Sequence, residues 1–153
     1  MFFFRSRSAM PHADFIHIPV PQGKSPISRA VGVPPGAITY YLSGQMPTVV
    51  DPAAPADSRQ AYGDTRTQTR TTLERLDGIL RDLGMSMRNV VHVRACLVAD
   101  PDKGNRMDFE GFNAGYADFF ASQPDGHPAR MVYQVAGLVN PGWLLEIEAM
   151  VAR

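Results

Sequence analysis

The sequence predicts a single α+β domain, and three observations carry that expectation. Stretches rich in Val, Ile, Tyr and Leu read as six strands. Two stretches with a helical period are each set between strands. A run of βαβ units and a Gly-rich phosphate loop, the marks of a doubly wound sheet, are not evident. The predicted order is β-β-β-α-β-α-β-β. A chain of 153 residues is long enough for one real core and short for two.

Residues 15–20, FIHIPV, are partly alternating and end at Pro19 and Pro21, which predicts an edge strand. RAVGV (29–33), a PPG turn and AITYYLSG (37–44) read as a hairpin. Residues 47–63 hold Pro47, Pro52 and Pro55 among small residues and form a long loop, a class often functional or mobile. From Asp64 the period changes: Leu73, Leu76, Leu80 and Leu83 recur at helical spacing between charged residues. Asp64 is the expected N-cap, and Gly84 the left-handed residue that ends the helix. NVVHVRACLVA (89–99) alternates as a strand. A second helix carries Phe109, Phe112, Tyr116 and Phe119 on one side, with Gly111 and Gly115 expected to pack closely against a sheet. ARMVYQVA (129–136) and WLLEIEAMVA (143–152) are the last two strands.

Composition excludes several classes. Fifteen basic residues balance fifteen acidic ones, so there is no electrostatic footprint for nucleic acid. One cysteine, Cys96, forms no internal disulfide, and the four histidines show no zinc-type spacing. The opening MFFFRSRSAM has too short an apolar run for a signal peptide, and no stretch is apolar enough to span a membrane. A cytoplasmic protein is expected, with residues 1–24 as a leader and edge strand, residues 25–153 as the domain, and Met10 as an alternative start.

YYLSGQMP (40–47), TQTRTTLERLDGILRDLG (67–84), NVVHVRACL (89–97), FNAGYADFF (112–120), HPAR (127–130) and LEIEA (145–149) follow one another in an order and spacing that resemble the RidA/YjgF family of enamine/imine deaminases. The resemblance implies a chorismate-mutase-like α+β subunit, a mixed sheet packed by two helices, assembled as a barrel-like homotrimer. It implies clefts at subunit interfaces that hydrolyse 2-imino acids, or their enamine tautomers, to 2-keto acids and ammonia. Neither metal nor cofactor is implied.

Residue by residue, the family's carboxylate-gripping arginine matches Arg130 and its water-positioning glutamate matches Glu146. Its pocket serine and helix asparagine match Ser43 and Asn113. Two positions depart from the pattern: Ile27 stands where the family often has a pocket tyrosine, and Val132 where it often has cysteine. Both make the pocket more apolar and point to a bulkier imino acid than the smallest ones.

The residue chemistry is consistent with those roles. A guanidinium offers two parallel donors to a carboxylate and stays charged, although Arg130 also suits a structural ion pair. Glu146 suits a general base for water, whereas Glu148 is expected to be solvated or paired. Ser43 also suits a turn hydroxyl bonding its own backbone. A second functional class is a non-catalytic module that binds small 2-keto acids in the same cleft. A ribonuclease or translation inhibitor, suggested for some relatives, is disfavoured by zero net charge and the lack of a basic-aromatic patch.

Overall fold

The computed structural model describes residues 14–21, 25–123 and 126–153. Most of the proposed leader, with Met10, lies outside them. Six strands are present: β1 (Ile16–Pro19), β2 (Ser28–Gly32), β3 (Thr39–Gln45), β4 (Val90–Val98), β5 (Ala129–Val135) and β6 (Leu145–Ala152). A one-turn helix, α1 (Arg59–Tyr62), precedes the long helix α2 (Thr65–Asp82), and α3 (Phe109–Phe120) follows β4. The fold is α+β, one mixed sheet with its helices on a single face.

The sheet order is β1-β2-β5-β4-β6-β3, which corrects two expectations. First, β2 and β3 do not form a hairpin: β2 pairs with β1 and β5, while β3 lies at the far edge against β6. The PPG segment bends at Gly36, whose φ is +88°, but the pairings leave β2 and β3 running in the same direction, so no hairpin can close between them. Residues 38–42 find theirs in the C-terminal strand. Ile38 and Arg153 exchange both backbone hydrogen bonds, at 2.7 and 3.1 Å, and Tyr40 and Leu42 stand opposite Val151 and Ala149. Second, β4, α3 and β5 make one βαβ crossover, because β4 and β5 are parallel from His92↔Ala129 to Val98↔Val135. The turn-rich stretch before α3 and the helix itself supply the length a parallel return needs.

Alternation along β4 and β6 sorts residues between two faces. Val93, Ala95, Leu97, Leu145, Ile147 and Ala149 point to the helices and are buried, joining Leu73, Leu76 and Leu80 of α2 and Phe112, Tyr116 and Phe120 of α3 in one core. Full burial of each large side chain contributes about 1.5–3 kcal/mol. The opposite face carries His92, Arg94, Cys96, Glu146 and Glu148. Tyr41, Met131 and Tyr133 are also on it, with Tyr41 76% and Met131 55% exposed.

The helix ends follow the sequence. Asp64 Oδ1 accepts from the Thr67 amide at 2.8 Å, which holds the Asp64 carboxyl below its ordinary pKa, and Gly84 has φ +70°. The close contact at Gly115 is with α2 rather than with the sheet. A Cβ there would lie 2.8 Å from Thr69 Cβ and 2.9 Å from the Arg66 carbonyl oxygen, so Thr69 and the α2 backbone come up against α3 where it carries no side chain. At Gly111 the near neighbour is the capping carboxylate of Asp108.

The loop over 47–63 is tied down at several points. Tyr62 Oη donates to the Ala56 carbonyl at 2.8 Å, and Asn140 Nδ2 reaches the same carbonyl at 2.9 Å. Arg59 pairs with Asp100 and, at 2.8 Å, with Asp102. Gln68, fully buried, donates to the carbonyls of Gly63 and Gly142 and accepts from the Leu144 amide at 2.8 Å. The loop is thereby fastened to the start of β6, the strand that carries Glu146.

Candidate functional site

Arg130 is the second residue of β5 and the register partner of Val93, so its side chain lies on the helix-covered face. There it meets α3. Its guanidinium carbon sits 4.5 Å from the ring centre of Tyr116, 5.3 Å from that of Phe112 and 5.8 Å from that of Phe109. The spacing of 109, 112 and 116 places these rings on one stripe of the helix. Phe112 and Tyr116 are fully buried, whereas Phe109 is 42% exposed. A cation over aromatic faces gains roughly 0.5–2 kcal/mol per good contact, most when desolvated.

No carboxylate pairs with Arg130 among the described residues, and its Nη1 is buried without a hydrogen-bond partner. The structural ion pair that sequence reading left open is therefore not made within the described chain. Burial draws the guanidinium's pKa down, with Tyr116 acting the other way. The Tyr116 hydroxyl, also buried and unpartnered, is pushed well above its ordinary range by burial and stays protonated. An unpaired buried donor on a cation costs more than a neutral one. The arrangement is a cation held in place and left one anion short.

Glu146 lies elsewhere. It is the register partner of Cys96 and points to the open face of the sheet, away from the helices. It makes no ion pair among the described residues. Its carboxylate lies across Gly44, at the bulge where β3 slips register between Leu42 and Gln45. A Cβ on Gly44 would overlap Glu146 Oε1 and come within 2.9 Å of its Cδ. Arg130 and Glu146 thus occupy opposite faces of one sheet, and a single chain does not bring them together.

The other expected residues divide between these places. Val132 shares the face of Arg130, two residues along β5, and packs against the core. Asn113 is half-buried on α3, next to Phe112 and on the same stripe as the three rings. Ser43 is exposed in the bulge beside Gly44, its carbonyl accepting from Gln45 Nε2 at 2.9 Å. Ile27 packs against the core and also lines a cleft of about 250 Å³ with His17, Ser28, Gln123 and His127. Glu148 is paired, as expected for a structural acid: it meets Arg94 at 2.8 Å across the open face. Cys96 donates to the Tyr133 hydroxyl at 3.3 Å.

Sequence reading missed two features. Phe109, Phe112 and Tyr116 read only as one side of a helix, with Tyr116 as core, although their i, i+3, i+7 spacing was visible; only the register of β5 shows that they seat an arginine. Gly44 read as a strand end, when its missing side chain makes room for Glu146. Among the described residues no three His, Cys, Asp or Glu side chains cluster as a metal site, and no helix is long and apolar enough to cross a membrane.

Comparison with known proteins agrees with this fold. A RutC family protein from Sulfurisphaera tokodaii is 31% identical over 133 residues, covering 87% of this chain and 92% of its own. The 3-aminoacrylate deaminase RutC of Acinetobacter baylyi is 35% identical over 88 residues, or 58% of this chain and 62% of its own. The crystal structure of E. coli TdcF with bound serine superposes with a TM-score of 0.59 at 27% identity, covering 79% of this chain and 84% of that one. The family model described as endoribonuclease L-PSP matches residues 21–153. The chain belongs to that family, the YjgF/RidA family.

Proposed function

We propose that this protein is a hydrolytic deaminase of 2-imino acids and their enamine tautomers, releasing 2-keto acids and ammonia. The observation that carries the proposal is Arg130: a half-buried side chain whose guanidinium is fixed by three rings, with a buried, unpartnered Nη1 and no carboxylate partner among the described residues. Such a group suits the carboxylate of a small acid. The deaminase name of the Acinetobacter baylyi relative and the serine bound to E. coli TdcF support the substrate class.

In this reading the substrate carboxylate docks on Arg130, with Asn113, Ser43, Ile27 and Val132 around it. Glu146 takes a proton from a water as the water oxygen adds to the imine carbon. Glu146 passes that proton to the nitrogen, giving a carbinolamine; it then takes the hydroxyl proton as the carbonyl forms and delivers it to the departing nitrogen, so that C–N cleavage releases ammonia. Because Arg130 and Glu146 face opposite sides of the sheet, the proposal requires two copies, one supplying each group. Tyr41, Met131 and Tyr133 on the open sheet face give apolar surface for self-association, in line with the homotrimer implied by the family resemblance.

The test is an amino-acid-oxidase-coupled assay that generates the imine in place. The protein should speed 2-keto acid release, and Arg130→Ala should lose at least about tenfold in kcat/KM, the worth of one charge-assisted contact. Equal rates with wild type and Arg130→Ala would sink the proposal. A second reading, a non-catalytic binder of 2-keto acids, draws support from the absence of an acid beside Arg130 among the described residues. It predicts Arg130-dependent binding of pyruvate with no turnover of any imine.

A further inference from the structure

Phe109 is the one ring of the Arg130 set that reaches solvent. It is the first residue of α3, 42% exposed, and lies nearly parallel to Phe112, with ring centres 6.5 Å apart and planes 20° from one another. Scattered exposed apolar residues are ordinary, but this one continues a buried aromatic stack and lies 5.8 Å from a guanidinium with a free donor. The turn before it is held in place: the Met107 amide donates to Gln134 Oε1 at 2.9 Å, and Gln134 shares the sheet face of Arg130 and Val132. Phe109 is therefore positioned by β5 itself.

A carboxylate docked on Arg130 places its α-carbon one bond further out and the substituent on that carbon next. Around the guanidinium, the apolar groups open to such a substituent are the ring of Phe109 and, beside Arg130 on the strand, Val132, with Asn113 and Gln134 the polar residues nearby. Among the described residues no charged side chain pairs with the clamp to reward a polar substituent.

We propose that Phe109 is a specificity-determining residue, and that its exposed ring selects acids whose side chain is aromatic or otherwise large and apolar. This rests on Arg130 being the carboxylate clamp. An aromatic substituent would stack on Phe109, where offset or edge contacts add to plain burial. A methyl or methylene substituent is too small to cover the ring.

The experiment compares wild type, Phe109→Ala and Phe109→Leu in two measurements. One is the coupled assay with imines generated from phenylalanine and from alanine. The other is binding of phenylpyruvate and pyruvate by calorimetry. Wild type should favour the aromatic member of each pair, and Phe109→Ala should lower that preference by about tenfold, the usual scale for a lost apolar pocket contact. Phe109→Leu should fall between, and it keeps the reading open if the alanine variant folds poorly. A general loss of stability would lower both members alike and leave their ratio unchanged. An unchanged ratio in both variants overturns the assignment, and so does a wild type that favours pyruvate and the alanine-derived imine. If the binding preference depends on Phe109 but no imine is turned over, the deaminase reading falls and the assignment of Phe109 stands.

Discussion

At Gly44 the backbone slips out of register, and the Glu146 carboxylate fills the space that a side chain would occupy. Gly44→Ala should push that carboxylate aside. Because the displaced atoms are the far end of a flexible side chain, the stability cost should stay below about 1 kcal/mol. The rate is more exposed, since a misplacement on the order of 1 Å can cost about 10²-fold. Thermal unfolding measured beside the coupled assay separates the two; an unaltered kcat would count against Glu146 acting from this seat. Arg130 and Glu146 were legible in the sequence because charged residues inside strand patterns stand out, and because Pro-Ala-Arg and Glu-Ile-Glu are recognisable motifs. Their surroundings were not legible. The rings that hold Arg130 arrive from a helix about twenty residues earlier, and nothing local to Phe109 or Tyr116 announces a cation above them.

The elements themselves were mostly readable, because each is specified by its own period and caps: Asp64 and Gly84 bound α2, and alternation marks β4 and β6. Pairing was not readable. Both errors, the missing β2–β3 hairpin and the unforeseen βαβ crossover, concern which strand lies beside which, a choice made by apolar faces far apart in sequence. Within the long loop, residues 59–62 form the short helix α1, which composition did not reveal. Prolines and small residues there suggest an irregular chain and say nothing about Gln68 beneath it. Gln68 is the expected weak point of this region. It bonds two carbonyls and one amide with no exposure to water. Gln68→Met keeps the volume and removes all three partners, so it should cost at least about 2 kcal/mol. Urea unfolding should show a lower midpoint with an unchanged slope; a midpoint equal to wild type would mean the loop is held by other contacts.

For the molecule as a whole, one sheet separates the two groups that the chemistry needs. The helix-covered face holds the clamp, and the open face holds the acid and most of the uncovered aromatic surface. On the proposed reading a lone subunit is an incomplete enzyme, and a closed symmetric assembly, in which each copy lends one face to its neighbour, would complete it. Complementation between two impaired variants tests this claim most directly. Arg130→Ala and Glu146→Gln should each lose at least about tenfold alone in the coupled assay. Co-expressed in equal amounts, they should recover activity at about a quarter of the sites, the share in which an intact arginine meets an intact glutamate by chance pairing. A mixture that stays as impaired as its parents, while its two kinds of chain are shown to share assemblies, would contradict the two-chain site.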